Sequence, residues 1–408
     1  MDSLRVGRAD GRARVLIVST DLPGPLDRGF RIRVHHLAAS LTTGHDVTLL
    51  APACKPTDAG PLSEFGVEVL AYRVGSSSGP IARVRHMLHR LKGGSSPTAV
   101  HRAAVAALKR SAQERRFDVV QVESPDLVLS ARALGVPVVL DAHNIWHELA
   151  RRRAVMLTSR RRRVVQALVV RRQRTRERRA WRQADLCLTT SAREKVVLAA
   201  AGASRPTVVP NGVDTDLLLP CDRHHVRTVH GSPYLVLVGL MAYGPNADAA
   251  QHLIRDVLPL VQREHANVGV RIVGGDPPPA LRRLADTSVD ITGYVPDVEP
   301  HICGAAVVVV PLRVGSGTRL KVLEALALGR PVVTTSLGAE GIDVVDGTHV
   351  LVADGARAFA DAVLRLLADP LLAAALGSRG RRLVEDKYAW ARVGDRLAHA
   401  YSDLLTQP

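Results

Sequence analysis

Residues 311–341 carry side chains whose types and spacing suit a phosphate ligand. An apolar run ends at Val310, and a glycine-rich turn then enters a helical pattern. The first turn of a helix offers unpaired backbone N–H groups and the positive end of the helix dipole. Two cations, Arg319 and Lys321, stand beside that turn. The segment therefore predicts a diphosphate cradle. Its members are Gly315, Ser316, Gly317, Thr318, Arg319 and Lys321.

Glu324 lies just over one turn further along the same predicted helix. A carboxylate accepts hydrogen bonds from two hydroxyl groups, such as those of a ribose. The alternative for the whole segment is a surface loop followed by an amphipathic helix with solvated charges.

A second group of candidates follows predicted strands in the first half of the chain. The loop 21–36 contains Gly29, Arg31 and Arg33, and its arginines suit an anionic ligand. The alternative is a flexible loop ahead of a basic helix face. His143 and Asn144 follow another strand, where a neutral histidine can hydrogen-bond a sugar hydroxyl or a phosphate. A purely structural hydrogen bond is the alternative for His143.

The elements that position these residues are apolar runs of strand length, each followed by a helical pattern. Continuous Val/Leu runs are typical of strands buried on both faces of a parallel sheet. Strands that alternate with helices predict right-handed crossovers, and therefore doubly wound α/β sheets. The predicted strands are 15–19, 46–51, 67–72, 118–123, 137–142, 185–191 and 206–212 in the first half, and 234–240, 268–274, 290–295, 305–312, 331–336 and 349–354 in the second.

The length of 408 residues suits two domains, and the strand pattern restarts after a polar stretch that begins near residue 210. We predict a first domain over 1–210, a second over 211–388, and a C-terminal helix over 389–408 that packs back on the first domain. In such α/β folds, ligands bind at the carboxyl ends of the strands.

Three segments carry a resemblance to a known family. They are PNGVD at 210–214, ITGYVPDVEPHICGAAVVVVPL at 291–312 and LEALALGRPVVTT at 323–335. With them the chain resembles the retaining glycosyltransferases of family 4. The resemblance implies the GT-B fold, in which two Rossmann-like domains face a cleft, and a nucleotide-sugar donor held by the second domain.

The resemblance also implies roles for single residues. Glu324 corresponds to the second Glu of the family's Glu-x7-Glu motif, which binds the ribose, and Arg319 and Lys321 are expected to contact the diphosphate. The resemblance also places Gly239, which follows the first strand of the second domain, in the donor site. His143 matches a cleft histidine. We assign the acceptor to Gly29, Arg31, Arg33 and Asn144.

The sequence departs from the family pattern at three places. Ser316 stands where the first Glu of Glu-x7-Glu is expected, and Leu240 and Met241 follow Gly239 where a basic residue is usual. Glu123 stands where relatives often have a histidine, and its role stays open. These departures indicate a variant subgroup. Since no Asp-x-Asp metal motif stands out, we expect neither a divalent cation nor another cofactor.

The net charge of +16 is concentrated in residues 151–182, which contain 14 arginines and one acid, Glu177. Interleaved apolar residues predict a basic amphipathic helix, and such helices bind anionic membranes. The alternative is a solvated face on a helix that packs on the sheet. Only 3% of residues are aromatic, so stacking platforms for nucleic acid are scarce and we expect no nucleic-acid partner.

Cys54, Cys187, Cys221 and Cys303 lie far apart in the sequence, so we expect reduced thiols and no zinc site. We find neither an apolar signal core nor a run of 18 apolar residues. These observations predict a cytoplasmic protein that is peripheral on the inner face of the plasma membrane.

The function predicted from the sequence is transfer of a sugar from a UDP- or GDP-sugar to a glycan or lipid-linked acceptor. We expect retention of configuration and a role in cell-surface or exported polysaccharide synthesis. One alternative is an enzyme of the same fold that isomerises or hydrolyses a nucleotide sugar, with Glu123 as its base. The other is a basic nucleic-acid-binding protein.

Overall fold

The computed structural model describes residues 11–21, 24, 26, 29–52, 62–74, 99–155, 159–221, 233–315 and 319–406. The chain forms two compact units. The first unit comprises Met1–Pro210 and Val393–Pro408, and the second unit comprises Asn211–Arg392.

The first unit is built on a seven-stranded sheet in which every neighbouring pair is parallel. The order is β3-β2-β1-β4-β5-β6-β7, so the order reverses between β1 and β4. The apolar runs of β4, β5 and β6 are buried throughout, because helices cover both faces of the sheet. The strands are β1 Ala13–Val18, β2 His45–Pro52, β3 Glu68–Tyr72, β4 Val119–Val122, β5 Val138–Ala142, β6 Leu186–Thr189 and β7 Pro206–Val208.

The helices of the first unit connect these strands. A short 3₁₀ turn, Pro125–Leu127, also follows β4. The α-helices are Gly29–Leu41, Ala99–Glu114, Val128–Arg132, Trp146–Val155, Arg160–Gln183 and Ala192–Ala200.

The second unit contains a six-stranded parallel sheet in the order β10-β9-β8-β11-β12-β13. Its first strand in the chain lies at the centre, and the order reverses between β8 and β11. This is the arrangement of dinucleotide-binding sheets. The strands are β8 Tyr234–Val238, β9 Gly269–Val273, β10 Val289–Gly293, β11 Val307–Val310, β12 Val332–Thr334 and β13 Leu351–Val352.

The helices of the second unit cover this sheet and complete a single apolar core. The predicted fold class, two doubly wound parallel-sheet domains, is confirmed. The α-helices are Gly244–His252, Leu258–Gln262, Pro279–Arg282, Glu299–Cys303, Leu320–Ala327, Ala356–Ala368 and Pro370–Lys387, with a π-helical turn at Leu253–Val257.

The last helix, Trp390–Thr406, contributes most of its length to the first unit. The hydroxyl of Tyr401 donates a 2.6 Å hydrogen bond to the buried Gln121 side chain in β4. Gly394 packs tightly against Ser40, where a Cβ would lie 2.9 Å from the serine hydroxyl. This helix is thus tied to β4 and to the helix Gly29–Leu41 of the first unit.

The prediction of separate reduced thiols is wrong for one pair of cysteines. Cys221 and Cys303 form a disulfide with a Cα–Cα distance of 5.4 Å, although 82 residues separate them in the sequence. Packing of the segment after the first unit beside the helix Glu299–Cys303 brings them together, which sequence spacing does not show. Burial raises the pKa of the Cys187 thiol to about 12, and Cys54 lies outside the described residues.

Among the described helices, none combines the length and the apolar composition needed to cross a bilayer.

Candidate functional site

The second unit brings most of the predicted diphosphate cradle to the point where its strand order reverses. Gly239 directly follows β8, and Gly315 and Arg319 lie in the connection that follows β11. Because parallel strands end at the same edge, these residues share the carboxyl edge of the sheet, where open α/β sheets bind ligands. Ser316, Gly317 and Thr318 lie outside the described residues.

The Gly239 backbone lies at the base of this site, beneath the Lys321 and Asn246 side chains. Its φ of 151° is readily adopted by glycine, and a Cβ there would lie 2.7 Å from both Lys321 Nζ and Asn246 Nδ2. Lys321 Nζ donates a 2.8 Å hydrogen bond to Asn246 Oδ1, and Asn246 Nδ2 donates one of 3.0 Å to the Leu240 carbonyl. Side chains near the starts of the helices Gly244–His252 and Leu320–Ala327 therefore contact each other over the Gly239 backbone.

The connection after β9 also packs against the Gly239 backbone. A Cβ at Gly274, where φ is 146°, would lie 1.9 Å from the carbonyl oxygen of Gly239. Only glycine allows the two backbones to approach so closely. Two of the loops at this edge thus present main chain rather than side chains, which leaves room for a ligand.

Arg319 is largely buried beside the second glycine loop. Its Nη2 lies 2.9 Å from the position that a Cβ would take at Gly315, whose φ is 143°. The glycine therefore makes room for the guanidinium at the start of the helix Leu320–Ala327. A buried guanidinium at a helix N-terminus is well placed to bind an anion.

The charges of this site favour an anionic ligand. Burial, and then the positive charge of Arg319, lower the pKa of Lys321 to about 8, while Glu324 acts in the opposite direction. Burial raises the pKa of Glu324, which Lys321 opposes. Two confined cations and one carboxyl group give the site a net positive charge. Charged hydrogen bonds to a diphosphate would replace the hydrogen bonds to water that both cations lose on burial.

The structure therefore gathers Gly239, Gly315, Arg319, Lys321 and Glu324 at one edge of the second sheet. Our sequence reasoning did not place Asn246 in this set. The available signal was the Gly-Pro-Asn triplet at 244–246, in which a proline marks the start of a helix directly after β8.

In the first unit, Arg33 is enclosed rather than exposed to a ligand. Its side chain is 1% accessible, and Nε and Nη2 each donate a 2.7 Å hydrogen bond to the Asp141 carboxylate. Nη1 donates to the carbonyls of Val209 and Pro210 at 2.9 and 3.1 Å. This pairing ties the helix Gly29–Leu41 to the ends of β5 and β7, so we assign Arg33 a positioning role in place of acceptor contact.

The other residues assigned to the acceptor lie near the same edge. Gly29 begins the helix Gly29–Leu41, and Arg31 donates a 3.0 Å hydrogen bond to Asp21, which follows β1. Asn144 follows β5 and is half-buried.

His143 follows β5 and is largely buried between aromatic rings. The Phe30 and Trp146 ring centroids lie 5.0 and 6.2 Å from its own. Its Nδ1 lies 3.7 Å from Asp141 Oδ2, which is longer than a hydrogen bond. His143 thus stands beside the anchored carboxylate and next to the half-exposed Trp146.

Glu123 directly follows β4 and is 3% accessible. Gln121 Nε2 donates to its Oε1 at 2.7 Å, while Oε2 is buried with no hydrogen-bond partner among the described residues. Burial, and then the charge of Asp141, raise the pKa of Glu123 well above its usual range. Burial alone would raise the pKa of Asp141 too, but Arg33 holds it well below its usual range. The two carboxyl groups thus differ, because Arg33 favours the charged form of Asp141 while burial favours the protonated form of Glu123.

These groups also have the spacing of a metal site, because ligand atoms of Glu123, Asp141 and His143 all lie within 4.8 Å of one another. However, Arg33 already binds both oxygens of Asp141 and neutralises its charge. A divalent cation would face that guanidinium at short range. The arrangement therefore favours a proton on Glu123 over a bound metal ion.

The chain matches two family models, one for most of each unit. Residues 28–217 match the family described as Glycosyltransferase Family 4, and residues 232–369 match the one described as Glycosyl transferases group 1. A GDP-mannose-dependent alpha-(1-6)-phosphatidylinositol monomannoside mannosyltransferase from Mycolicibacterium smegmatis is 34% identical over 213 residues, 48% of this chain and 55% of the relative. The chain spans about half the length of the curated relatives it matches.

Solved structures share the whole architecture. Sucrose-phosphate synthase from Thermosynechococcus elongatus superposes with a TM-score of 0.74 at 20% identity, covering 96% of this chain and 99% of that chain. HepE from Anabaena, in complex with UDP and glucose, gives 0.67 at 15% identity, covering 96% and 100%. The chain thus shares the GT-B fold of these structures, and each of its two units matches a glycosyltransferase family model.

The raised pKa of Glu123 predicts an unusual pH dependence of stability. A carboxyl group whose pKa is raised by folding loses stability as it ionises, so the wild type should lose stability relative to Glu123→Gln as pH rises from 4.5 to 8. The difference in free energy of unfolding between the two proteins should widen by about 1.4 kcal/mol for each unit by which the pKa is raised within this pH range. Urea unfolding at both pH values measures it.

Glu64→Gln, at an exposed position of the first unit, is the matched control and should follow the wild type. A constant difference between Glu123→Gln and the wild type at both pH values would show that folding does not raise the pKa of Glu123, contrary to this account.

Proposed function

We propose that this chain is a retaining glycosyltransferase that moves a sugar from a UDP- or GDP-sugar to a glycan or lipid-linked acceptor in cell-surface or exported polysaccharide synthesis. The observation that carries the proposal is the pair of confined cations, Arg319 and Lys321, at the strand reversal of the second sheet, with Lys321 Nζ over the Gly239 backbone.

The second unit takes the donor role in this proposal. Departure of a nucleoside diphosphate leaves negative charge on its phosphates, and preorganised cations stabilise that charge as it develops. Arg319 and Lys321 are these cations, and Glu324 accepts hydrogen bonds from the ribose hydroxyls. Because two cations already serve the leaving group, the proposal needs no metal ion and no other cofactor.

Two nucleotide bases, guanine and uracil, remain candidates for the donor. The relative from Mycolicibacterium smegmatis is named as GDP-mannose-dependent, whereas HepE was solved with UDP and glucose. Both bases are therefore included in the test below.

The first unit takes the acceptor role. His143, Asn144, Gly29 and Arg31 lie near the carboxyl ends of β1 and β5, where a hydroxyl-bearing acceptor can be hydrogen-bonded. The Arg33–Asp141 pair fixes the backbone on which His143 stands. Orientation of the acceptor hydroxyl and stabilisation of the leaving group are the two tasks of a front-side, retaining substitution, which uses no protein nucleophile.

The isomerase or hydrolase alternative depended on Glu123 as a base. Glu123 is 3% accessible, so its carboxyl group is enclosed and not exposed to a substrate, and the geometry gives this alternative no support.

The Arg-rich helix supports a membrane-facing role on the cytoplasmic side. Near the end of the helix Arg160–Gln183, Glu177, Ala180 and Trp181 are buried in the first unit, whereas most side chains of residues 161–172 are exposed. Val164 and Leu168 are 60% and 56% accessible among exposed arginines. Apolar side chains interleaved with arginines suit the surface of an anionic bilayer, so we propose peripheral binding there.

The donor proposal predicts one base-selective rise in melting temperature across a panel of UDP-, GDP-, ADP- and TDP-sugars. A ligand at 100 times its Kd that binds only the folded state adds about 2.7 kcal/mol. Gly239→Ala should abolish the rise, since the added methyl group displaces Lys321 Nζ and Asn246. Arg319→Ala, Lys321→Met and Glu324→Ala should each weaken it.

Lys387→Met removes a half-exposed lysine of the same unit, which pairs with Asp343, and should keep the full response. No rise with any nucleotide sugar at low salt would argue against the donor site.

The membrane proposal predicts that the protein sediments with vesicles of phosphatidylglycerol and phosphatidylcholine, and less so at high salt. Substituting glutamine for Arg161, Arg162 and Arg163 should weaken binding by roughly 100-fold, because each surface arginine contributes about 1 kcal/mol. The control substitutes exposed Arg357, Arg365 and Arg379 of the second unit and matches the change in charge. An equal loss of vesicle binding in both triple variants would mean that the Arg-rich helix makes no specific contact with the membrane.

A further inference from the structure

Asn246 uses both ends of its side-chain amide inside the second unit. Oδ1 accepts from Lys321 Nζ at 2.8 Å, and Nδ2 donates to the Leu240 carbonyl at 3.0 Å. An ammonium can only donate and a carbonyl can only accept, so these partners fix which way the amide faces. The residue is largely buried in the first turn of the helix Gly244–His252.

Lys321 would be poorly located without such an anchor. Its ammonium sits on a flexible four-carbon stem, which allows many positions. The anchored position is also one that a side chain at residue 239 would block, because a Cβ there would lie 2.7 Å from Nζ. Gly239 gives the space, Asn246 fixes the position and Lys321 supplies the charge.

We propose that Asn246 is a positioning residue that holds the Lys321 ammonium over the Gly239 backbone, where it meets the diphosphate of a nucleotide ligand. This inference rests on the proposed donor role of the second unit and specifies how that site is assembled. It also offers a replacement for the basic residue that is absent after Gly239.

An amide suits this task better than a carboxylate. A hydrogen bond from Nζ to a neutral oxygen leaves the positive charge available, whereas an aspartate would neutralise it before a phosphate arrives. The charged neighbours that act on Lys321 are Arg319, which lowers its pKa, and Glu324, which raises it. An additional carboxylate at residue 246 would raise it further.

A pH profile follows from this arrangement. Only the ammonium form binds phosphate strongly, and the pKa of Lys321 is about 8 in the unliganded site. Affinity for a diphosphate should therefore be highest below pH 8 and fall as pH rises through it, with log Kd changing by up to about one per pH unit.

The test measures Kd for UDP and GDP by calorimetry between pH 7.5 and 9.5. We expect the wild type to weaken above about pH 8 and Lys321→Met to be weak and flat. Asn246→Asp, which preserves the size of the side chain, should bind roughly tenfold more weakly at pH 7.5, with its decline shifted to higher pH. Asn246→Ala should bind more weakly across the range.

Asn267→Ala, at an exposed position before β9, is the matched control and should reproduce the wild-type profile. A merely structural role for Asn246 would change stability without moving the pH at which affinity declines. A wild-type profile in Asn246→Asp would overturn the inference and leave the donor site intact. Absence of UDP and GDP binding by the wild type would overturn the proposed function itself.

Discussion

The close packing at Gly239 is the constraint on which the candidate donor site depends. The absence of a side chain there lets the Gly274 backbone, the Asn246 amide and the Lys321 ammonium converge on one peptide group. These groups come from the connection after β9 and from two helices that follow β8 and β11. Because the strand order reverses between β8 and β11, the helices diverge to opposite sides of the sheet and leave a crevice between their starts.

The two units treat buried charge in opposite ways. In the first unit, Arg33 and Asp141 form a buried pair with two 2.7 Å hydrogen bonds, and burial favours the neutral form of Glu123 beside them. A buried charge that keeps a full set of partners is structural, and removing one partner typically costs about 3–5 kcal/mol. In the second unit, Lys321 is confined against an amide and beside Arg319, so its charge awaits an anion. This contrast separates a positioning network from a candidate binding site.

The sequence predicted the sheets because their strands are continuous Val and Leu runs, such as 307–310, that only a doubly covered parallel sheet buries. It also predicted that Arg319, Lys321 and Glu324 lie together, since a strand, a glycine turn and a helix are adjacent in the chain. Contacts between distant residues were not predictable. Asn246 meets Lys321 across 75 positions, Arg33 meets Asp141 across 108, and Cys221 meets Cys303 across 82. Such pairs depend on strand order and helix packing, which a single sequence does not encode in its spacing.

The most direct measurement of the central claim is a crystal structure of the chain with UDP or GDP bound. The account predicts that the diphosphate lies over Gly239, within hydrogen-bond distance of Lys321 Nζ and the Arg319 guanidinium, with the ribose at Glu324. A nucleotide bound elsewhere, with Lys321 still held by Asn246 and no phosphate near Gly239, would contradict it.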